Sequence, residues 1–161
     1  MPALQRTGKE IAEIYDRQVD TVYRICFSFM KNTADTEDMV QETFLRLLKS
    51  GVGFVSEEHE KAWLIVTASN LCKDTLKKWC RRTEDIDDPS LNLKTPPFEI
   101  NEVLGAVMKL PPDQKTAVYM HYYEGYSAAE IAVYLHCSPA TVRSRLSRAR
   151  KTLKRKLGGD F

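Results

Sequence analysis

The chain lacks the features that mark a membrane protein, a metal protein or a nucleophilic enzyme. No apolar run exceeds five residues, Ala62 to Val66 being one, far short of the roughly 20 that span a bilayer; no membrane insertion is expected. Met1 to Gly8 lack the basic-then-apolar layout of a signal peptide, so the expected location is cytoplasmic. The four cysteines, Cys26, Cys72, Cys80 and Cys137, show no zinc-type spacing, and no metal site is expected. Cys26, Cys72 and Cys80 fall on or near apolar helical stripes and are expected as buried, reduced thiols. His136 beside Cys137 is the one pairing open to a catalytic reading, but adjacent residues on one backbone rarely aim at each other. Neither enzyme chemistry nor a cofactor is expected.

Period-two alternation is also missing, and with it any reason to expect a strand. What is present is helical periodicity. A first helix is predicted from about Lys9 to Met30, with Ile11, Tyr15, Val22, Ile25, Cys26 and Phe29 on one stripe. A second opens on Asp35, Glu37 and Asp38, acids suited to the positive end of a helix dipole, and is expected to bury Val40, Phe44, Leu47 and Leu48. Gly51 and Gly53 mark a loop. A third helix, about Glu57 to Arg82, carries Ile65, Ala68, Cys72, Leu76 and Trp79 at helical spacing. From Thr83 to Phe98 come acids and three prolines with no apolar stripe, the composition of a linker. Helical pattern resumes near Ile100 and runs to Leu157, broken at Pro111-Pro112 and Gly125. The expected fold is all-α: two small helical domains, residues 1–82 and 100–161, joined by a flexible acidic linker over 83–99.

Net charge is nearly absent too, at +2, which on its face argues against a polyanion partner. The distribution reverses that inference. Ser127 to Phe161 carry eight basic residues against two acidic ones, whereas Thr83 to Glu102 carry six acids against one lysine. A concentrated basic end is the electrostatic footprint of a nucleic-acid binder.

Within that basic end, Ser127-Ala-Ala-Glu130 reads as a capping box opening a helix that buries Ile131, Ala132 and Leu135. His136, Cys137 and Ser138 turn the chain. Ser138-Pro139 then opens a second helix, serine at the N-cap and proline at the first helical position. Its stripe is Val142, Leu146, Ala149, Leu153 and Leu157. This is a helix-turn-helix pattern. Thr141, Arg143, Ser144, Ser147 and Arg148 fall on the solvent side of the first two turns, the part that enters a major groove. Arg150, Lys151, Lys154 and Arg155 follow, where phosphates lie.

Leu110-Pro-Pro-Asp, Tyr123-Glu-Gly-Tyr-Ser-Ala-Ala-Glu-Ile-Ala and Ser138-Pro-Ala-Thr-Val-Arg-Ser-Arg-Leu-Ser-Arg-Ala-Arg resemble region 4 of bacterial sigma-70 family factors. The resemblance implies a domain that reads the −35 promoter element, here with Thr141, Arg143, Ser144, Ser147, Arg148 and Lys151, and touches the β flap of RNA polymerase. The output domains of some response regulators share the helix-turn-helix, so the C-terminal half alone leaves the class open.

Ala34-Asp-Thr-Glu-Asp-Met-Val-Gln-Glu-Thr-Phe-Leu-Arg-Leu resembles sigma region 2.2, which grips the β′ clamp helices. Asp38, Gln41, Glu42 and Leu45 stand at i, i+3, i+4 and i+7, a stripe opposite the buried one and suited to a helical partner. Lys61-Ala-Trp-Leu-Ile-Val-Thr-Ala-Ser-Asn-Leu-Cys-Lys-Asp is similar to regions 2.3 and 2.4, which melt and read the −10 element. The family's tryptophan, asparagine and aspartate stand here as Trp63, Asn70 and Asp74; Lys73 and Lys77 fall with Asn70 and Asp74 on one polar, mostly basic face suited to a single-strand backbone, and by the resemblance Phe54 in the preceding loop offers a surface for an unstacked base. Two departures stand out: Val66 and Thr67 occupy positions where many relatives carry a basic residue, and Glu57, Glu58 and Glu60 should repel phosphate.

A linker of under 20 residues leaves no room for region 3, which by the same resemblance points to the extracytoplasmic-function (ECF, group 4) subclass. The implied partners are core RNA polymerase, promoter DNA and an anti-sigma factor. Two rivals explain less. A stand-alone operator-binding regulator leaves the Asp38–Leu45 stripe and the Asn70 face without a purpose. A helical adaptor with a merely solvated basic end leaves the helix-turn-helix unexplained.

Overall fold

The computed structural model describes residues 6–81 and 100–157. The expected acidic linker at 83–99 lies outside the described residues. The chain divides into two compact units, Met1–Pro97 and Phe98–Phe161. Among the described residues there are seven α-helices and no strand.

The first unit packs three helices: α1 (Gly8–Met30), α2 (Thr33–Ser50) and α3 (Glu57–Arg81). The first two starts have side-chain caps. Thr7 accepts a hydrogen bond from the Glu10 amide at 3.2 Å, and Asn32 accepts from the Asp35 amide at 2.9 Å, replacing bonds that the first helical turn cannot make internally. Lys31 and Gly51 close α1 and α2 in the left-handed conformation. The core between the helices is Val22, Ile25, Cys26 and Phe29 of α1, Val40, Phe44 and Leu47 of α2, and Ala62, Leu64, Ile65, Ala68 and Cys72 of α3.

Leu135 is half-buried rather than buried, and four further apolar expectations fail, each for a geometric reason. Leu48 is 45% exposed, because it lies off the axis of the Val40–Phe44–Leu47 stripe. Tyr15 is 44% exposed, yet its ring tilts against Phe44 at 4.8 Å between centroids. Trp79 and Cys80 are exposed, as are Lys77 and Lys78 beside them. Four successive exposed residues cover every face of a helix, so this end of α3 has no neighbour to pack on among the described residues. The two buried thiols are Cys26 and Cys72. The hydrogen bond with Cys72, together with burial, pushes the Cys26 thiol well up, which keeps it protonated and unreactive.

The second unit holds α4 (Glu102–Met108), α5 (Pro112–Val118), a π-helical turn (Tyr119–Tyr123), α6 (Ala128–Leu135) and α7 (Pro139–Leu157). Pro112 begins α5, where a missing amide hydrogen costs nothing. The π turn is closed by the Glu124 amide donating to the Tyr119 carbonyl at 3.1 Å and by the Tyr126 amide donating to the Met120 carbonyl at 2.9 Å. Gly125, at φ +84, makes the bend possible. Tyr119 is wholly buried, and its hydroxyl donates to Glu124 at 2.8 Å. Leu104, Val107, Val118, Met120, Ile131, Val142 and Leu146 complete this second core.

Candidate nucleic-acid interface

Helices α6 and α7 form the helix-turn-helix. The capping box is complete: the Glu130 amide donates to the Ser127 hydroxyl at 3.1 Å, and the Ser127 amide donates to the Glu130 carboxylate at 2.9 Å. The second of these bonds holds the Glu130 carboxyl below its usual range. His136, at φ +55, turns the chain out of α6, and the Cys137 amide returns to the Ala132 carbonyl at 3.0 Å. Ser138 then caps α7 by accepting from the Thr141 amide at 3.1 Å.

Val142, Leu146, Ala149 and Leu153 of α7 are buried against the unit. Arg143, Ser144, Arg148 and Lys151 are exposed, whereas Thr141 and Ser147 are half-buried. Thr141 also shares a 2.9 Å hydroxyl contact with Ser138, which places it in the cap. Arg150 departs from the expected phosphate row. It is half-buried and donates to the Tyr122 hydroxyl at 2.6 Å, bracing α7 against the π turn. Beside that brace lies an apolar hollow of about 150 Å³, lined by Val103, Val118, Tyr122 and Leu153 among others.

In the first unit, α2 presents Asp38, Gln41, Glu42 and Leu45 to solvent, Leu45 at 44%. Leu48 extends the same face, so it carries two exposed leucines with acceptors around them, a composition suited to a partner surface. The sequence does not single out Leu48 for this face, because its spacing from Phe44 fits a buried stripe equally well.

On α3, Asn70, Asp74 and Lys77 are exposed, while Trp63 and Lys73 are half-buried. Trp63, Asn70 and Asp74 line one groove of about 270 Å³ with Thr67 and Leu71; Lys73 and Lys77 do not line it. Across the groove stand Arg46, Lys49 and Ser50, from the end of α2. Nothing in the sequence periodicity of α3 announces these α2 residues, because only tertiary packing brings them there.

Phe54 is half-buried rather than free. Its ring meets Trp63 at 5.8 Å and His59 at 5.2 Å between centroids, and the Arg6 guanidinium lies 4.9 Å above it while bonding the Val52 carbonyl. The three glutamates expected to repel phosphate divide. Glu57 and Glu58 are exposed, but Glu60 is buried, receiving hydrogen bonds from Arg17 at 2.9 and 3.2 Å and from Gln18 at 3.0 Å. The Arg17 bond to Glu60 also raises the guanidinium further above its ordinary value. Among the described residues no group of three or more histidine, cysteine, aspartate or glutamate side chains is arranged to hold a metal, and no helix is long and apolar enough to cross a membrane.

Residues 14–83 match the model of Sigma-70 region 2, and residues 100–153 match that of Sigma-70 region 4. The chain is 32% identical over 141 residues to the ECF RNA polymerase sigma factor EcfG of Rhodopseudomonas palustris, covering 84% of this chain and 78% of that one. This chain belongs to the ECF sigma factors of the sigma-70 family. Another similar relative is the ECF sigma factor SigX of Bacillus subtilis, 27% identical over 158 residues, with 88% and 80% of the two chains covered. The fold is shared with the sigma factor RpoE of Bartonella quintana, solved in complex with the anti-sigma factor NepR. That likeness has a TM-score of 0.70 at 22% identity and covers 95% of this chain and 99% of that one. An ECF sigma factor recognises promoters and initiates transcription with RNA polymerase. The helix-turn-helix and the α3 groove described above therefore lie on a DNA-binding initiation factor.

Proposed function

We propose that the two units divide the promoter between them: α3 and the loop before it read the −10 element, and α7 reads the −35 element. The observation that carries this reading is the partition of α7. Its buried stripe leaves Arg143, Ser144, Arg148 and Lys151 exposed directly behind the Ser138 cap. Arg143 and Arg148 are the base readers, since a guanidinium pairs bidentately with guanine O6 and N7. Lys151 serves a phosphate, with Thr141, Ser144 and Ser147 as shorter-range contacts. On α3, Asn70 and Asp74 take base edges, Lys73 and Lys77 take backbone, and Trp63 with Phe54 forms an aromatic support. Asp38, Gln41, Glu42 and Leu45, with Leu48 beside them, dock on the β′ clamp helices. The β flap takes the apolar hollow beside Tyr122. The domains assigned to these roles are residues 1–82 and 100–161, with 83–99 as the linker.

The chain performs no bond chemistry of its own. Base unstacking is offset by capture of the released bases and by binding to polymerase. It works in the cytoplasm, where an anti-sigma factor holds it inactive. Holoenzyme assembled from this chain and core polymerase tests the division. Arg143→Ala is expected to weaken binding to a −35-containing fragment while core capture stays intact; loss of both together would contradict the assignment.

A further inference from the structure

The groove between the end of α2 and the middle of α3 carries two cations, two groups able to read a base, and, among the described residues, no internal use for any of them. Arg46, Lys49, Asn70 and Asp74 all line it. None of the four makes a side-chain hydrogen bond or ion pair among the described residues. Arg46 and Lys49 share the space with Asp74 without pairing to it, so the cations are not spent on neutralising that carboxylate. Lys49 sits in the last turn of α2, where the negative end of the helix dipole favours a cation. Arg46 lies one turn earlier, where the dipole contributes less. Trp63 and Leu71 give the groove an apolar wall.

We propose that Arg46 and Lys49 hold the sugar-phosphate backbone of the unpaired −10 strand and thereby position its bases over α3. This rests on the promoter reading given above and extends it, because that reading draws every −10 contact from α3 and its preceding loop. Charge balance supplies the reason. A phosphate entering a groove that already holds Asp74 meets net attraction only if more than one cation faces it. Two are present, and they come from the opposite wall. Asp74 is then satisfied by an exocyclic amine of a base, the donor that carboxylates accept from cytosine N4. The cations sit on α2, whose exposed face is the proposed polymerase dock, so one helix would fix the strand relative to the enzyme.

The test uses the full chain with core polymerase, comparing parent with the Arg46→Ala/Lys49→Ala double variant. Core capture is measured first. Affinity is then measured across a salt series for a promoter fragment with a pre-melted −10 region, and for a duplex carrying only the −35 element. Core capture and −35 binding are expected to match the parent. Affinity for the pre-melted fragment should fall about tenfold at low salt. Its log–log salt slope should shrink by about 1.4, roughly 0.7 for each single-strand phosphate that the variant no longer neutralises. The charge-conserving Arg46→Lys/Lys49→Arg variant should restore the slope. An unchanged affinity and slope on the pre-melted fragment would overturn the proposal. A parallel loss of core capture would overturn it too, by assigning the cations to the polymerase. If the parent itself forms no promoter complex with core, the promoter reading falls, and this proposal with it.

Discussion

Arg143 and Glu60 show how two charged residues of one chain are given opposite tasks by burial. Arg143 is exposed and has no side-chain partner among the described residues, so its five donors are available to a base edge or a phosphate. Replacing it with alanine should cost about 1–3 kcal/mol of −35 binding and relax preference at one base position, measurable by competition between promoter fragments that differ at single positions. Glu60 looks in the sequence like one of three acids that repel DNA. In the fold its carboxylate is committed to Arg17 and Gln18. Glu60→Ala strands the buried Gln18 amide and should lower stability by about 1–3 kcal/mol with little effect on DNA affinity per folded molecule. Urea unfolding paired with a binding titration separates the two effects. The exposed residue types of α3 and α7 are legible in the sequence because solvent-facing positions of a helix follow from its period. The fate of Glu60, of Phe54 under Arg6, and of Arg150 on Tyr122 is not legible there, since each depends on a partner from a different element.

At the scale of elements, helix starts are the most legible feature of the sequence. Asp35, Ser127, Glu130 and Ser138 mark helix openings, and all four sit in capped first turns. Ser127→Ala removes one half of the capping box and should destabilise the second unit by about 0.5–2 kcal/mol, visible as a lower melting temperature. Glu130 makes that element sensitive to acid. Its carboxyl is held below its usual range in the fold, so the stabilisation is present above the ordinary carboxylate pKa and is lost as pH falls through the lower folded value. Glu130→Gln should flatten that part of the melting profile against pH, and a profile identical to the parent's would contradict the role assigned to the carboxylate. What a helix end packs against is harder to read. The apolar spacing of α3 continues through Leu76 to Trp79, but a periodic pattern does not say whether a neighbour is present, and the last turns of α3 have none among the described residues. The groove joining α2 to α3 is invisible in the sequence for the same reason.

For the whole molecule, a net charge of +2 conceals a basic helix-turn-helix balanced by an acidic segment over residues 83–102. Neutralising Asp85, Asp87 and Asp88 should raise affinity for DNA lacking a promoter, if that acidic segment restrains the basic end; no rise would reduce it to a spacer. The polymerase contact proposed for the exposed face of α2 carries a separate prediction. Gln41→Ala/Leu45→Ala should weaken core capture in a pull-down while leaving binding to a −35 fragment unchanged, the reverse of Arg143→Ala. The central claim joins both surfaces in one activity, and a run-off transcription assay with purified chain, core polymerase and a promoter library addresses it most directly. The account predicts transcripts from a small subset of promoters that disappear when the chain is omitted and that Gln41→Ala/Leu45→Ala and Arg143→Ala each diminish. DNA binding by the chain with no association with core and no chain-dependent transcript would contradict it.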